Sequence, residues 1–373
     1  MAFTEKFVTP AGAGTNSGLS FANAFTFAQA ITDASGKTGQ RYNLKGTFGN
    51  VGATTFPDGA VGAPNVWRGC SSTEGDLDNQ GRNTDGTLNT AGMPTITITG
   101  LWIVLLHTTF QNLNITGALS SRLIGATGAD NCTALNCRIE NTTNNASANT
   151  ITWDTACSII GCDLACSGAT HGSALILGSN GRVLQSRFQL TDAKAGISAV
   201  VSVVVLDCVF TKTGAVGGSG VTATGVLSTT TNLLIANCTF HNLAAGVLTA
   251  GTHTGGAIVI CGCHCTDGTY LADNTTTVAV YDINNRTRDL TSGKATGAEL
   301  ITTKAVTTDT GGAETDYTNA ANGNFRLLTT APGYNTRFDG GDIGGLQTDP
   351  PAGGGGGSAL HLGGPGQTGI GSF

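Results

Sequence analysis

Two apolar ladders run through the middle of this chain in phase with each other, and they restrict it to very few folds. A six-residue segment recurs: two apolar residues, a polar residue or glycine, then cysteine or a similar residue, any residue, and an apolar one. It reads Ala134-Leu-Asn-Cys-Arg-Ile139, Ile159-Ile-Gly-Cys-Asp-Leu164, Val183-Leu-Gln-Ser-Arg-Phe188, Val205-Leu-Asp-Cys-Val-Phe210, Ile235-Ala-Asn-Cys-Thr-Phe240 and Ile260-Cys-Gly-Cys-His-Cys265. Phe110-Gln-Asn-Leu-Asn-Ile115 is a looser first copy. The fourth positions are Leu113, Cys137, Cys162, Ser186, Cys208, Cys238 and Cys263, in steps of 24, 25, 24, 22, 30 and 25 residues. Five residues upstream of each lies the second ladder: Thr108, Cys132, Cys157, Gly181, Val203, Leu233 and Ile258.

The period decides the architecture. Helical repeats would carry a 3.6-residue apolar stripe, whereas these segments alternate with period two and are broken by Asn, Gly, Ser and Thr. Short strands joined by polar turns at this spacing are rungs of a β-solenoid, each pairing with the next about 4.8 Å away. The expected fold is all-β, a right-handed parallel β-helix built as a single-stranded solenoid. The fourth and sixth residues of each copy point inward. They set the ladder of Leu113, Cys137, Cys162, Ser186, Cys208, Cys238 and Cys263 beside one of Ile115, Ile139, Leu164, Phe188, Phe210 and Phe240. The fifth residues, among them Arg138, Asp163, Arg187, Thr239 and His264, are expected to face water. Composition agrees: 11% charged and 6% aromatic residues leave small and β-branched side chains to fill the core.

Arg41–Phe48 and Pro94–Thr99 read as earlier strands, and Thr277–Asp282, Leu300–Val306 and Asn324–Leu328 as later ones. A solenoid end is an open sheet edge and needs a cover. Ala22–Ile31 has the spacing of a short capping helix. The chain thus divides into an N-terminal arm and capping helix (1–38), the β-helix (39–348) and a glycine-rich flexible tail (349–373). In the tail, Gly353–Gly357 is a tether, and Leu360, Leu362, Ile370 and Phe373 form an apolar anchor for a partner.

Thr15-Asn-Ser-Gly-Leu-Ser-Phe-Ala-Asn-Ala24 followed by Gly39-Gln-Arg-Tyr-Asn-Leu-Lys-Gly-Thr-Phe48 resembles the opening of right-handed parallel β-helix proteins of the pectate-lyase-like superfamily, including bacteriophage virion β-helix proteins. Asn322-Gly-Asn-Phe-Arg-Leu-Leu328 and Asp342-Ile-Gly-Gly-Leu-Gln347 are similar to its closing segment, so the resemblance covers residues 10 to 348. It implies a choice of chemistries: clustered carboxylates for Ca²⁺ with a basic residue in the lyases, or paired aspartates with Gly-His-Gly in the hydrolases. Neither pattern occurs in this sequence. Asp163 and Asp207 sit in non-adjacent rungs, and Asp130, Asp154, Asp192, Asp267 and Asp273 read as turn residues bonding local backbone.

Cys261-Gly-Cys-His-Cys265 resembles a metal motif. Same-face strand neighbours lie about 6.6 Å apart, too spread for tetrahedral zinc, so the three cysteines are read as core and His264 as outward. Inward thiols are inert. Gly214–Gly220 lacks the Lys-Ser/Thr of a phosphate loop and reads as an expanded turn. No cofactor or metal is expected.

A net charge of −6 with no basic face excludes nucleic acid as a partner. The longest apolar run, Leu101–Leu106, is too short to cross a bilayer. No signal segment is visible at the N-terminus, which points to synthesis in a cytosol. Together these readings point to a non-enzymatic bacteriophage virion protein, a capsid decoration or cement protein. It would assemble as a homotrimer on the major capsid protein or other virion subunits. The alternatives are a tailspike-like β-helix that binds a receptor or degrades a polysaccharide, and a bacterial carbohydrate-active or surface protein, which the missing signal segment disfavours.

Overall fold

The computed structural model describes residues 2–291 apart from residues 84, 126–127, 169–170, 192, 200–201, 225–231, 251–254, 277, 284 and 289. Beyond 291 it describes the backbone of short strands between Ala295 and Leu327. Among the described residues, three parallel sheets of twelve, eleven and ten strands wrap one core. Each rung gives one strand to each sheet in turn. Thr133–Leu135, in the first sheet, pairs with Thr108–Gln111 on one side and Ser158–Ile160 on the other. Arg138–Asn141, in the second, lies between Asn114–Gly117 and Asp163–Cys166. The molecule is a parallel β-helix.

The corners explain why the two ladders run in phase. The third residue of every copy is a left-handed corner: Asn112, Asn136, Gly161, Gln185, Asp207, Asn237 and Gly262 have φ between 50° and 64°. Five residues earlier stands another set, His107, Asn131, Ala156, Asn180 and Ser202, with φ between 46° and 59°. Five first-sheet strands, from Thr108–Gln111 to Val204–Leu206, are thus bracketed by two left-handed residues, and the residue after each bracket turns inward. Asn, Asp and Gly recur there because they tolerate this conformation best.

The fourth-position column does more than fill space. The corner turns the backbone N–H of the next residue away from the regular ladder, and a side chain of the following rung receives it. Cys137 N–H donates to Cys162 Sγ (3.4 Å), Cys162 N–H to Ser186 Oγ (3.1 Å) and Cys238 N–H to Cys263 Sγ (3.4 Å). Each thiol or hydroxyl in turn donates to the carbonyl two residues before it, as Cys162 does to Ile160 (3.3 Å) and Ser186 to Leu184 (2.9 Å). A buried amide left unpaired is costly. Cysteine and serine suit the site because they are small and both accept and donate. Burial, together with the neighbouring thiol, raises the Cys137 and Cys238 thiols above their ordinary range, so they stay protonated donors.

Behind this column, Ile115, Ile139, Leu164, Phe188, Phe210 and Phe240 stack in register. The phenylalanine rings lie 4.7 Å and 5.2 Å apart at 11° and 15°. Opposite them the third sheet is cut back to glycine. A Cβ on Gly220 would sit 2.4 Å from the Phe240 ring and 2.7 Å from the Gly246 carbonyl. Gly220→Ala is therefore expected to cost about 1–3 kcal/mol through overpacking, read as a lower denaturation midpoint at unchanged slope. An unchanged midpoint would mean that the ring stack can shift.

Several sequence expectations change here. The helix is Phe27–Ala34, not Ala22–Ile31. Thr26 caps it with Gln29 in a reciprocal capping box, and Asn23 is occupied instead with the backbone of Thr15. Phe27 plugs the end of the bore, stacked on Trp102 at 5.6 Å and packed against Phe48, Phe56 and Trp67. The N-terminal arm is itself part of the solenoid, since Thr4–Val8 pairs in parallel with Gln40–Leu44. Gly220 lies inside the strand Ser219–Ala223 rather than in a turn. Asn324–Leu327 pairs antiparallel with Tyr317–Asn319, outside the three main sheets.

Candidate functional site

The fifth positions do not all face water. Arg187 is 6% exposed, Thr239 1% and His264 0%. At Arg187 the cause is a long excursion of the chain. Partners in adjacent first-sheet strands are normally about a rung apart, as Thr109 and Thr133 are, but Asn65 pairs with Thr108, 43 residues on. The extra length, residues 71–93, folds back over the outer face of the second sheet around its own small core of Leu77, Leu88 and Met93.

Carboxylates fasten both ends of this excursion. Near its start, Asp76 accepts the backbone N–H groups of Ser71, Ser72 and Thr73. Asp78 ties it to the first sheet by accepting from Arg68, Gln111 and Asn112. Toward its far end, Asp163 accepts from Arg82 Nη1 on one oxygen (2.6 Å) and from the Leu88 N–H on the other (2.6 Å). Arg82 Nη2 goes on to the carbonyls of Gln185 (2.9 Å) and Cys162 (3.3 Å).

Between excursion and sheet remains a cleft of about 250 Å³, whose lining includes Asn83, Thr87, Thr90, Arg138, Arg187 and Gln189. Its floor is set by register: Arg138, Asp163 and Arg187 are successive partners on three rungs, as are Glu140, Ala165 and Gln189. Arg138 pairs with Glu140 at 2.6 Å. Burial acts to raise the Asp85 carboxyl, but hydrogen bonds from Thr87 and the charge of Arg187 outweigh it and hold it below the usual carboxylate range. Arg187 differs from its neighbours. Its Nε is sealed from solvent with no hydrogen-bond partner, and it takes part in no ion pair among the described residues.

Glycoside hydrolysis needs one carboxyl held protonated and a second facing the bond. Both oxygens of Asp163 are taken as acceptors, Glu140 is paired, and Asp85 is held ionised. A larger groove of about 490 Å³ lies at the N-terminal end beside Phe27, Ile31 and Phe48, and among the described residues no titratable side chain lines it.

The ladder residues lie at 2% exposure or less: Leu113, Cys137, Cys162, Ser186, Cys208, Cys238 and Cys263, with Ile115, Ile139, Leu164, Phe188, Phe210 and Phe240. Asp130 accepts from the Thr155 N–H and Asp154 from the Gly128 N–H, while Asp207 and Asp267 have left-handed backbones. Gly262, at φ 61°, separates Cys261 from Cys263, so this segment bends around a corner instead of running as one strand. Among the described residues no group of three His, Cys, Asp or Glu is placed to hold a metal ion, and no helix is long and apolar enough to cross a membrane. Asp192 and the tail residues Leu360, Leu362, Ile370 and Phe373 lie outside the described residues.

The cleft itself was missed by reading the repeat alone. Its signal was the 43-residue rung, together with five charged residues among the twelve at 74–85 in a chain that is only 11% charged.

No protein-family model matches this chain, and no curated protein does. Solved structures do. The chain superposes on the crystal structure of pectate lyase Pel9A with a TM-score of 0.61 at 16% identity, covering 93% of this chain and 98% of that one. A double-mutant tailspike protein of E. coli bacteriophage HK620, solved with a pentasaccharide, aligns at a TM-score of 0.35 and 11% identity, covering 75% of this chain and 56% of that one. The first likeness establishes the fold, a parallel β-helix.

Proposed function

We propose that this protein is a glycan-binding β-helix of a bacteriophage virion, a receptor-contact protein of the tailspike kind that binds without cutting. The observation that carries this reading is the cleft under residues 71–93. It is walled by the hydrogen-bonding side chains of Asn83, Thr87, Thr90 and Gln189 and floored by arginines, while its carboxylates are engaged elsewhere. Such a wall matches sugar hydroxyls, and the volume suits a single ring more than the 300–1,000 Å³ of larger ligand sites. The virion setting rests on the resemblance of the end segments, and a trimer belongs to the same proposal. Attachment to a capsid as a cement would depend on Leu360, Leu362, Ile370 and Phe373, and no described feature favours it.

The test is a panel of immobilised bacterial surface polysaccharides. Retention of the protein by at least one, with no release of reducing ends or unsaturated products, is the expected result. Retention by none would refute the reading. Cleavage abolished by Asp163→Asn would replace it with an enzymatic one.

A further inference from the structure

We propose that the cleft takes a sugar bearing a carboxylate, and that this carboxylate lies on the guanidinium of Arg187; the proposal rests on the glycan-binding reading above. Arginine is almost never as buried as this unless it is paired. Arg187 is 6% exposed, its Nε has no partner, and no ion pair among the described residues includes it. Its position is imposed by the sheet, because Arg187 is the register partner of Asp163 on one side and Val209 on the other. The strand holds the Arg187 backbone in place and its side chain lines the cleft, through which a partner can reach it.

The surrounding charges specify what kind of anion that is. Arg82 is closed by Asp163 and Arg138 by Glu140. Asp85 stands near Arg187 and feels its charge, yet is held by Thr87. Three arginines thus face three carboxylates, so the site is neutral before a ligand enters; a monoanion adds one uncompensated charge, where a phosphate or sulfate dianion would add two. A planar monoanion meeting one guanidinium fork through two parallel hydrogen bonds is the smaller addition. Among the described residues no aromatic side chain lines the cleft to offer a stacking platform for a base or aromatic ring. Asn83, Thr87, Thr90 and Gln189 remain for the ring hydroxyls.

The probe is an oligosaccharide alternating glucuronate with N-acetylhexosamine, compared by titration calorimetry with the same oligosaccharide after its carboxyl groups are reduced to alcohols. The acid form is expected to bind at least tenfold more tightly, with the difference shrinking as salt rises. Arg187→Gln should abolish the difference. Arg187→Lys keeps the charge but not the fork, and should lose most of the preference; it serves if the glutamine variant does not fold. Equal binding of the two forms would overturn the carboxylate assignment and leave the glycan reading standing. Failure of both to bind would overturn the carboxylate assignment, the glycan reading being judged by the polysaccharide panel. Displacement of the acid form by inorganic phosphate at lower concentration than by acetate would show a phosphate site and overturn the assignment.

Discussion

Replacing Phe210 by alanine is expected to lower the unfolding free energy by about 3–5 kcal/mol, the range for emptying a fully buried aromatic site. Phe210 is the middle ring of three, with Phe188 at 4.7 Å and Phe240 at 5.2 Å, so its removal breaks two stacked contacts at once. Collapse cannot easily refill the space. The opposing third-sheet positions are Gly196 and Gly220, which have no side chain to move in, and both neighbouring rungs are fixed by register on either side. Denaturant titration of the purified variant measures it. A loss under 1 kcal/mol would mean that the stack is not continuous in solution.

Asp163→Ala should act differently, loosening one element while sparing the rest. The change strips an acceptor from Arg82 and from the Leu88 N–H together. Each hydrogen bond to a charged group is worth about 1.5–3 kcal/mol, and the Arg82 side chain, 19% exposed, keeps only carbonyl partners. Residues 71–93 touch the sheet through few such ties, so the expected result is a strong rise in protease cleavage there while the solenoid melts at nearly its original temperature. Retention by glycan should fall with it, since the cleft loses its roof. If cleavage stays unchanged, Asp78 and the Leu77, Leu88 and Met93 cluster hold the excursion unaided. If the whole molecule melts early, the excursion is part of the fold's foundation.

How much of this could be read from sequence follows from what repeats and what does not. The rung was legible because stacking demands the same residue class at the same corner in every copy. Cys137, Cys162 and Ser186 repeat for a physical reason, and so do Asn136, Gly161 and Gln185. The second role of the thiol column, receiving the corner amides, was not legible, because side chain and amide meet only once the corner's backbone is known. The outward face was misjudged at Arg187 for a related cause. Strand alternation says which way a residue points, but not whether a distant part of the chain comes to lie on it. Arg82 reaches Asp163 across 81 positions of sequence, and nothing periodic announces that meeting. The helix boundary moved because Thr26 and Gln29 close a cap that outcompetes the apolar spacing of the residues before it.

The column of corner amides also gives the molecule an order of completion. Cys137, Cys162 and Cys238 donate forward to the rung that follows, and Cys263 N–H ends on Asn285 Oδ1 at 2.7 Å. A rung is therefore unfinished until the next one has been laid on it. A chain emerging from the ribosome, with its first turn already plugged by Phe27, would carry a single open amide seam at its growing end and close it one coil at a time. Such a protein is built like masonry: the sheets tie each course to both of its neighbours, while the corner seam waits for the course above. A frameshift or truncation within the solenoid would leave its fault at the last complete course, with the coils beneath it sound.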